Sequence, residues 1–260
     1  MAMLEVEGLV KRFGGLVAVN GVSFEIEEGA IVSMIGPNGA GKTTAFNCIT
    51  GLYPVSAGDV RFCGRSIVGL APHLITRLGV TRTFQNIRLF SHMTAVDNVM
   101  VGEHCRMHAR VWDSMLHTPL ARREERDVEA RALATLGRMG LDGHADTLAR
   151  NLAYGLQRRL EIARALASGP RMILLDEPAA GLNPQEKIEL IQTITRLRDE
   201  GLTVFLIEHD MRVVMEASDR IVVLDHGERI AEGIPAEVRN DPRVVEAYLG
   251  RGAAERMRGG

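Results

Sequence analysis

The feature that most constrains the fold of this chain is a glycine-rich segment between a short apolar run and a helix-forming run. Residues 31–35 are largely apolar without strict alternation, which is typical of a strand buried on both faces. They lead directly into Gly36-Pro-Asn-Gly-Ala-Gly-Lys-Thr-Thr44, and residues 43–50 continue as a short helix. A tight glycine turn before a helix N-terminus points backbone N–H groups at an anion. The segment therefore predicts an α/β fold with a phosphate-binding loop.

Each residue type in this loop has a mechanical task. The glycines let backbone N–H groups wrap phosphates, Lys42 places a positive charge on the β- and γ-phosphates, and Thr43 offers a hydroxyl to Mg²⁺. A match of this kind should arise by chance in roughly one chain of this length in a hundred. We predict nucleotide contacts from Gly36, Pro37, Asn38, Gly39, Ala40, Gly41, Lys42, Thr43 and Thr44.

A second acidic site follows another buried strand. The apolar run Met172-Ile-Leu-Leu175 ends in Asp176 and Glu177. Ligands of parallel sheets bind beyond the carboxyl ends of the strands, so these acids are expected near the phosphates. Asp176 is predicted to bind Mg²⁺, directly or through water, and Glu177 to polarise an attacking water.

The remaining patterns indicate a parallel core preceded by a separate sheet. Alternation of apolar and polar residues over 22–26 predicts a half-exposed antiparallel sheet at the start of the chain. Residues 203–207 form another buried strand, after a helix that is capped by Asn183 and ends at Gly201. Strand, helix and strand in this order predict a parallel α/β arrangement. The predicted apolar stripe of that helix is Ile188, Ile191, Ile194 and Leu197.

The pattern becomes helical between about residues 86 and 155. Val128, Ala132, Leu136 and Met139 share one helix face, and Gly140 follows as a stop. Since α/β patterns lie on both sides, this block is predicted to be an insertion rather than a tail.

Composition and charge narrow the possible partners. Lys and Arg number 31 against 33 Asp and Glu, a net charge of −2, which argues against a nucleic-acid partner. No apolar run approaches the ~18 residues that cross a bilayer, and three scattered cysteines favour reduced thiols. A soluble protein in the cytoplasm is therefore expected.

Three further motifs complete a set that resembles the ATP-binding-cassette (ABC) ATPases. Phe13 lies in Arg12-Phe-Gly-Gly, Gln85 in Thr83-Phe-Gln-Asn, and His209 follows the buried strand 203–207. Together with the glycine loop and the acidic pair, the motifs occur in the family's order between Leu4 and Gly250. The resemblance implies ATP and Mg²⁺ as cofactors and ATP hydrolysis as the activity.

The resemblance also implies a fold and a domain organisation. The fold would be an α/β P-loop NTPase (RecA-like) core with an N-terminal antiparallel β-subdomain and an inserted α-helical subdomain at about residues 86–160. Residues 1–250 would form one nucleotide-binding domain and residues 251–260 a flexible tail.

Residue roles follow from the same resemblance. Phe13 would stack on adenine, Gln85 would sense Mg²⁺ and the attacking water, and His209 would contact the γ-phosphate. The implied catalytic residues are Glu177, His209 and Gln85, and the implied metal ligands are Thr43, Gln85 and Asp176.

One motif departs from the family. Where the family's signature is usually Leu-Ser-Gly-Gly-Gln, this chain has Leu152-Ala-Tyr-Gly-Leu156. In the family, the helix N-terminus at this motif covers the γ-phosphate bound by a partner subunit, which assigns nucleotide contacts to Ala153, Tyr154 and Gly155. Ala153 lacks the serine hydroxyl, so we hypothesise that its contribution to the partner's site is weakened but not abolished.

Several short segments resemble one branch of the family, the ATP-binding subunits of branched-chain amino acid importers. They include residues 152–155, Gly181-Leu-Asn-Pro184 and the ending Val244-Val-Glu-Ala-Tyr-Leu-Gly250. The branch implies a head-to-tail ATPase dimer at the cytoplasmic face of a bacterial inner membrane. It also implies two membrane permeases, docked by the helical insert, and an extracytoplasmic substrate-binding protein. The second ATPase is expected to be a paralogue, with a copy of this chain as the alternative.

Two alternatives remain at this point. Another transporter of the same class, for urea, other amino acids or lipid extraction, would share every catalytic motif. A soluble relative acting on ribosomes or DNA usually carries two cassettes or a long coiled coil, and 260 residues with this charge balance fit neither.

Overall fold

The computed structural model describes residues 2–103 and 119–249 of the chain. Its strands are β1 (Ala2–Phe13), β2 (Leu16–Glu27), β3 (Ile31–Ile35), β4 (Ala57–Phe62), β5 (Arg65–Ser66), β6 (Val80–Arg82), β7 (Met172–Asp176), β8 (Thr203–Ile207), β9 (Arg220–Asp225) and β10 (Glu228–Gly233). Its α-helices are α1 (Lys42–Ile49), α2 (Pro72–Arg77), α3 (Ala95–Glu103), α4 (Pro119–Arg138), α5 (Tyr154–Ala167), α6 (Pro184–Asp199), α7 (Met211–Ala217), α8 (Pro235–Asn240) and α9 (Pro242–Leu249).

The first sheet has the strand order β2-β1-β4-β5 and is antiparallel. Its strand β2 buries Val22, Phe24 and Ile26 and leaves the alternate residues more exposed, because successive side chains of a strand point to opposite faces. The predicted N-terminal antiparallel sheet is confirmed.

The second sheet has the strand order β10-β9-β3-β8-β7-β6. The central strand β3 pairs in parallel with β8 and β9, and β9 forms an antiparallel hairpin with β10. Every residue of β3, β7 and β8 is buried, as their apolar runs predict for strands covered on both faces. The predicted parallel α/β core is confirmed.

The chain divides into two compact units, of which the first combines Met1–Ile75 with Leu174–Gly260 and the second is Thr76–Ile173. The second unit contains the predicted insertion at about residues 86–160 but is wider at both ends. The predicted single domain 1–250 stays a prediction. The predicted tail at 251–260 lies outside the described residues, as does residue 105 among the three cysteines; Cys48 and Cys63 are free thiols.

The second unit is held by its helices, with α3 packed against α4 and α5. The predicted apolar face of α4 is confirmed, since Val128, Ala132 and Leu136 are fully buried, as is Met139 just beyond the helix. Gly140, with φ of +66°, adopts the left-handed conformation that ends a helix.

Helix α6 in the first unit has the predicted cap and a shifted stripe. Asn183 accepts a hydrogen bond from the Glu186 N–H, and the Glu186 carboxylate accepts one from the Asn183 N–H, which is a complete capping box. The predicted stripe is partly wrong. Ile194 and Leu197 are buried, but Leu190 completes the face, while Ile188 and Ile191 are only half-buried because the helical turn rotates both of them away from it, to the same side.

Among the described residues, no helix is long and apolar enough to cross a bilayer.

Candidate nucleotide-binding site

The glycine loop joins β3 to α1, and two of its glycines leave no room for a side chain. A Cβ on Gly36 would lie 2.0 Å from the Leu224 carbonyl oxygen, and a Cβ on Gly41 would lie 2.5 Å from the Ala18 carbonyl oxygen. Gly39, with φ of +84°, has open space where a Cβ would point. The loop is therefore packed tightly on its protein side and open at Gly39, which leaves backbone accessible to a ligand.

The turn between β9 and β10 supports this loop. The Gly227 N–H donates to the Ala40 carbonyl at 3.1 Å, and the Asn20 N–H donates to the Gly227 carbonyl at 2.8 Å. His226, in the same turn, has φ of +47°, and its Nδ1 lies 2.8 Å from Oδ1 of Asp225. Asp225-His-Gly227 is a sequence typical of turns, but it does not show that the turn holds the phosphate loop.

Lys42 lies against its own loop. Its ammonium donates to the carbonyls of Gly36 at 2.6 Å and Pro37 at 2.9 Å, and the residue is buried. Burial lowers the pKa of Lys42, and the negative charges of Glu177 and Asp176 oppose that shift. The ammonium thus lies within electrostatic range of the predicted acidic pair.

The acidic pair lies at the end of β7, as predicted from its sequence. Asp176 is buried, and Glu177 adopts φ of +49°, which is uncommon for a residue with a side chain. The Glu177 N–H donates to the carbonyl of Ile207, the last residue of β8, at 2.9 Å. Such strained backbone is often found at functional sites, where surrounding structure compensates for it.

His209 follows β8 and lies close to the acidic pair. Its Nδ1 is 3.7 Å from a Glu177 carboxylate oxygen and 3.9 Å from one of Glu208, and its side chain is 60 % exposed. The structure therefore brings two of the three predicted catalytic residues together in one unit.

Glu208 is a residue that the sequence prediction missed. It is fully buried, and its carboxylate accepts hydrogen bonds from the N–H groups of Ala179, His209 and Asp210 at 2.7, 3.0 and 3.2 Å. Burial raises the pKa of Glu208, and these N–H groups oppose the shift. Glu208 thereby ties the segment after Glu177 to the segment that carries His209. Its sequence signal is an acid placed directly after five buried residues.

A cleft of about 500 Å³ lies over the loop. Phe13 lines it with 42 % of its surface exposed, its ring edge-on to Tyr53 at 5.3 Å and 4.7 Å from the Lys11 ammonium. Glu177 and His226 also line the cleft. The volume lies in the range of small-molecule sites. Its lining includes residues 38–44, so Phe13, the phosphate loop and Glu177 face one space.

The other predicted site residues belong to the second unit. Gln85 is exposed between β6 and α3, and Ala153 is the residue that precedes α5. Ala153 has no side-chain cap on the helix, Tyr154 is exposed and Gly155 is buried. The first turn of α5 therefore has no side-chain cap from Ala153 to occupy its N–H groups, a feature that favours an anion.

Oxygen donors are the available metal ligands at this site. The described residues contain no group of three or more His, Cys, Asp or Glu suited to hold a metal. Thr43 and Asp176 instead offer one hydroxyl and one carboxylate, which suits a cation such as Mg²⁺ that takes few protein ligands and completes its shell with phosphates and water.

Comparison with known protein families agrees with this geometry. The ABC transporter family matches residues 19–180. The branched-chain amino acid ATP-binding cassette transporter family matches residues 228–254.

Individual relatives match over nearly the whole chain. The high-affinity branched-chain amino acid transport ATP-binding protein BraF of Pseudomonas aeruginosa is 52 % identical over 249 residues, covering 95 % of this chain and 98 % of its own. LivG of Escherichia coli, with the same description, is 49 % identical with the same coverage.

Solved structures share the fold. The crystal structure of an ABC transporter's ATP-binding cassette in its ADP conformation has a TM-score of 0.85 at 34 % identity, covering 96 % of this chain and all of its own. A dimeric post-hydrolysis cassette bound to ADP and phosphate has a TM-score of 0.75 at 27 % identity, covering 90 % and 99 %. The chain therefore belongs to the ABC transporter ATPases with the P-loop NTPase fold, among the branched-chain amino acid transport ATP-binding proteins.

Proposed function

We propose that this chain is the ATP-hydrolysing subunit of an importer of branched-chain amino acids. The observation that carries the proposal is the cleft of the first unit, in which Phe13, the phosphate loop and Glu177 face one space. His209 lies 3.7 Å from Glu177 and adds a second polar group to the acidic end of the site. Family membership supplies the transported solute, which no residue of this chain identifies.

Nucleotide binding is assigned to the first unit. The N–H groups of the loop and the Lys42 ammonium would bind the phosphates, once Lys42 exchanges the carbonyls of Gly36 and Pro37 for phosphate oxygens. The exposed face of Phe13 would stack on the adenine, with Tyr53 holding the ring from its edge.

Catalysis is assigned to the acids at the end of β7. Thr43 and Asp176 would hold Mg²⁺, with Gln85 as a further ligand from the second unit. The bound ion would neutralise part of the negative charge of the phosphates. Glu177 would accept a proton from the attacking water. His209 would donate a hydrogen bond to the γ-phosphate, in line with its exposed side chain beside Glu177.

A head-to-tail dimer is proposed because the uncapped N-terminus of α5 suits the γ-phosphate of a second subunit. Each ATP would lie between the loop of one subunit and residues 152–155 of the other. The absence of a hydroxyl at Ala153 favours a paralogue as the second subunit, which would restore one complete site. A copy of this chain is the alternative.

The remaining partners are proposed from the branch to which the chain belongs. They are two integral membrane permeases and, indirectly, an extracytoplasmic substrate-binding protein. This chain would be a peripheral subunit at the cytoplasmic face of the bacterial inner membrane. ATP binding would close the dimer and hydrolysis would open it, because only the nucleotide's differential affinity for the closed state can drive such a cycle.

Uptake by cells tests the proposed function. Cells that lack this chain should lose uptake of labelled leucine, isoleucine and valine, and the chain restored in trans should recover it while Lys42→Ala should not. Labelled urea serves as the control solute. Loss of urea uptake with normal leucine uptake would favour a different transporter of the same class, and normal uptake of both would contradict a role in import.

A further inference from the structure

Helix α5 carries a fully buried ion pair just after the signature residues 152–155. The Arg158 guanidinium lies 2.9 Å from the Glu161 carboxylate, and both side chains are only 1 % exposed. Removing two charges from water is costly, and well-packed apolar residues of similar size are often at least as stable. The pair therefore calls for a role other than stability alone.

Both terminal nitrogens of Arg158 also donate to the segment that contains Gln85. Its Nη1 donates to the Phe84 carbonyl at 3.1 Å, and its Nη2 donates to the Gln85 carbonyl at 3.0 Å. Nη2 also lies 3.3 Å from the Tyr154 hydroxyl. One planar guanidinium thus joins the backbone of Gln85 to a residue of the signature.

Two more side chains of α5 hold the same segment. The Glu161 carboxylate accepts a hydrogen bond from the Arg88 N–H at 3.4 Å. Arg164 donates to the Arg88 carbonyl and lies 5.6 Å from the centre of the Phe90 ring. Residues three apart lie near one side of a helix, so Arg158, Glu161 and Arg164 form a single contact surface along residues 84–90.

From this arrangement we infer that Arg158 and Glu161 are positioning residues for Gln85, which fix it to the signature so that both move as one body. All of these residues belong to the second unit. The inference rests on the proposed function, in which Gln85 serves the nucleotide of its own subunit and the signature serves that of its partner. The ion pair would then couple the two nucleotide sites of the dimer.

The test measures ATP turnover by the transporter purified with its permeases, in three variants. Arg158→Met should lower kcat by about 10- to 100-fold, as loss of such supporting contacts does elsewhere. The KM for ATP should change by less than about twofold, because Phe13 and the phosphate loop belong to the first unit. Arg158→Lys keeps a charge beside Glu161 but cannot reproduce the planar fork that reaches two carbonyls. It should therefore recover thermal stability without recovering kcat.

The matched control is Arg131→Met. Arg131 lies 2.7 Å from Glu103, whose side chain is 2 % exposed, so this variant also strips a buried acid of its partner in the second unit. It should lose thermal stability while keeping kcat within about twofold of wild type.

A double-mutant cycle with Gln85→Ala shows whether Arg158 acts through Gln85. If it does, Arg158→Met should lower kcat by less than about twofold further in the Gln85→Ala background. If the two substitutions lower kcat independently, so that their fold-losses multiply in the double variant, the inference is overturned. Recovery of kcat by Arg158→Lys, or an equal loss of kcat in Arg131→Met, would also overturn it. A normal kcat in Gln85→Ala would instead overturn the proposed catalytic role of Gln85, and the inference with it. A reduced kcat in Gln85→Ala with a normal kcat in Arg158→Met would overturn the inference alone.

Discussion

At the scale of single residues, the site combines a buried cation with two acids whose negative charges favour its protonated form. The Lys42 ammonium donates to the carbonyls of Gly36 and Pro37, and the charges of Asp176 and Glu177 oppose the effect of its burial on its pKa. The residue type and spacing predict that Lys42 meets phosphate, but only the structure shows its contacts with the loop carbonyls.

The pKa of Lys42 predicts a pH dependence of ATP binding. Burial lowers this pKa in the free protein, and phosphate charge should raise it in the complex, so ATP prefers the protonated form. Affinity should therefore be full below the free-state pKa and should fall as pH rises through it, over a pH range that lies below the usual pKa of lysine. Calorimetry in two buffers of different ionisation enthalpy should show proton uptake on binding in this range. Lys42→Arg, which stays protonated, should show none, and absence of uptake in the wild type would contradict the assignment.

We expect a serine at position 153 to raise ATP turnover. Ala153→Ser adds a hydroxyl that can cap α5 and donate to the γ-phosphate of a partner subunit, a hydrogen bond to a charged group that is worth about 1.5–3 kcal/mol. ATP turnover by the assembled transporter should rise. Ala153→Asp separates the two effects, because its carboxylate caps the helix but repels phosphate. It should raise thermal stability and lower turnover, and unchanged turnover in Ala153→Ser would contradict the proposed contact.

At the scale of elements, the sequence predicts best where one local pattern decides the structure. The apolar runs of β3, β7 and β8 are typical of strands buried on both faces, and the Asn183–Glu186 pair caps α6 from within four residues. The apolar stripe of α6 is less well predicted, because packing against neighbouring elements decides which apolar residues are buried. Leu190 is buried and Ile191 is not. Glu208 escapes prediction for a related reason. Its partners include Ala179, 29 residues away along the chain, and no local pattern reports such a contact.

We expect ATP turnover to fall when Glu208 no longer links the segments that follow β7 and β8. Both carboxylate oxygens accept backbone N–H groups, so Glu208→Gln must turn an NH₂ group toward at least one donor. Stability to urea should fall by about 1–3 kcal/mol, and kcat should fall while the KM for ATP is retained. The control Ile194→Val shortens a buried side chain of α6, costs about 0.5–1.5 kcal/mol and should leave kcat unchanged. A normal kcat in Glu208→Gln would show that this link is structural only.

At the scale of the whole molecule, a net charge of −2 is compatible with binding a polyanion because the binding charges are local. In the proposed binding mode, one ammonium, the dipole of α1 and the N–H groups of the loop would meet a single nucleotide, so no basic surface would be required. The resemblance of five motifs predicts the family from sequence, and the antiparallel sheet, the parallel core and the helical second unit agree with it. The solute is beyond the reach of such reasoning, because in the proposed transporter it passes through other polypeptides.

ATP hydrolysis by Glu177→Gln in the assembled transporter tests the central claim most directly. The substitution keeps the size of the side chain and removes the base, so turnover should fall by about 10²- to 10⁴-fold while ATP binding is retained. Glu27→Gln, an exposed acid at the end of β2, should hydrolyse ATP at the wild-type rate. Near-normal hydrolysis by a correctly folded Glu177→Gln variant would contradict the account.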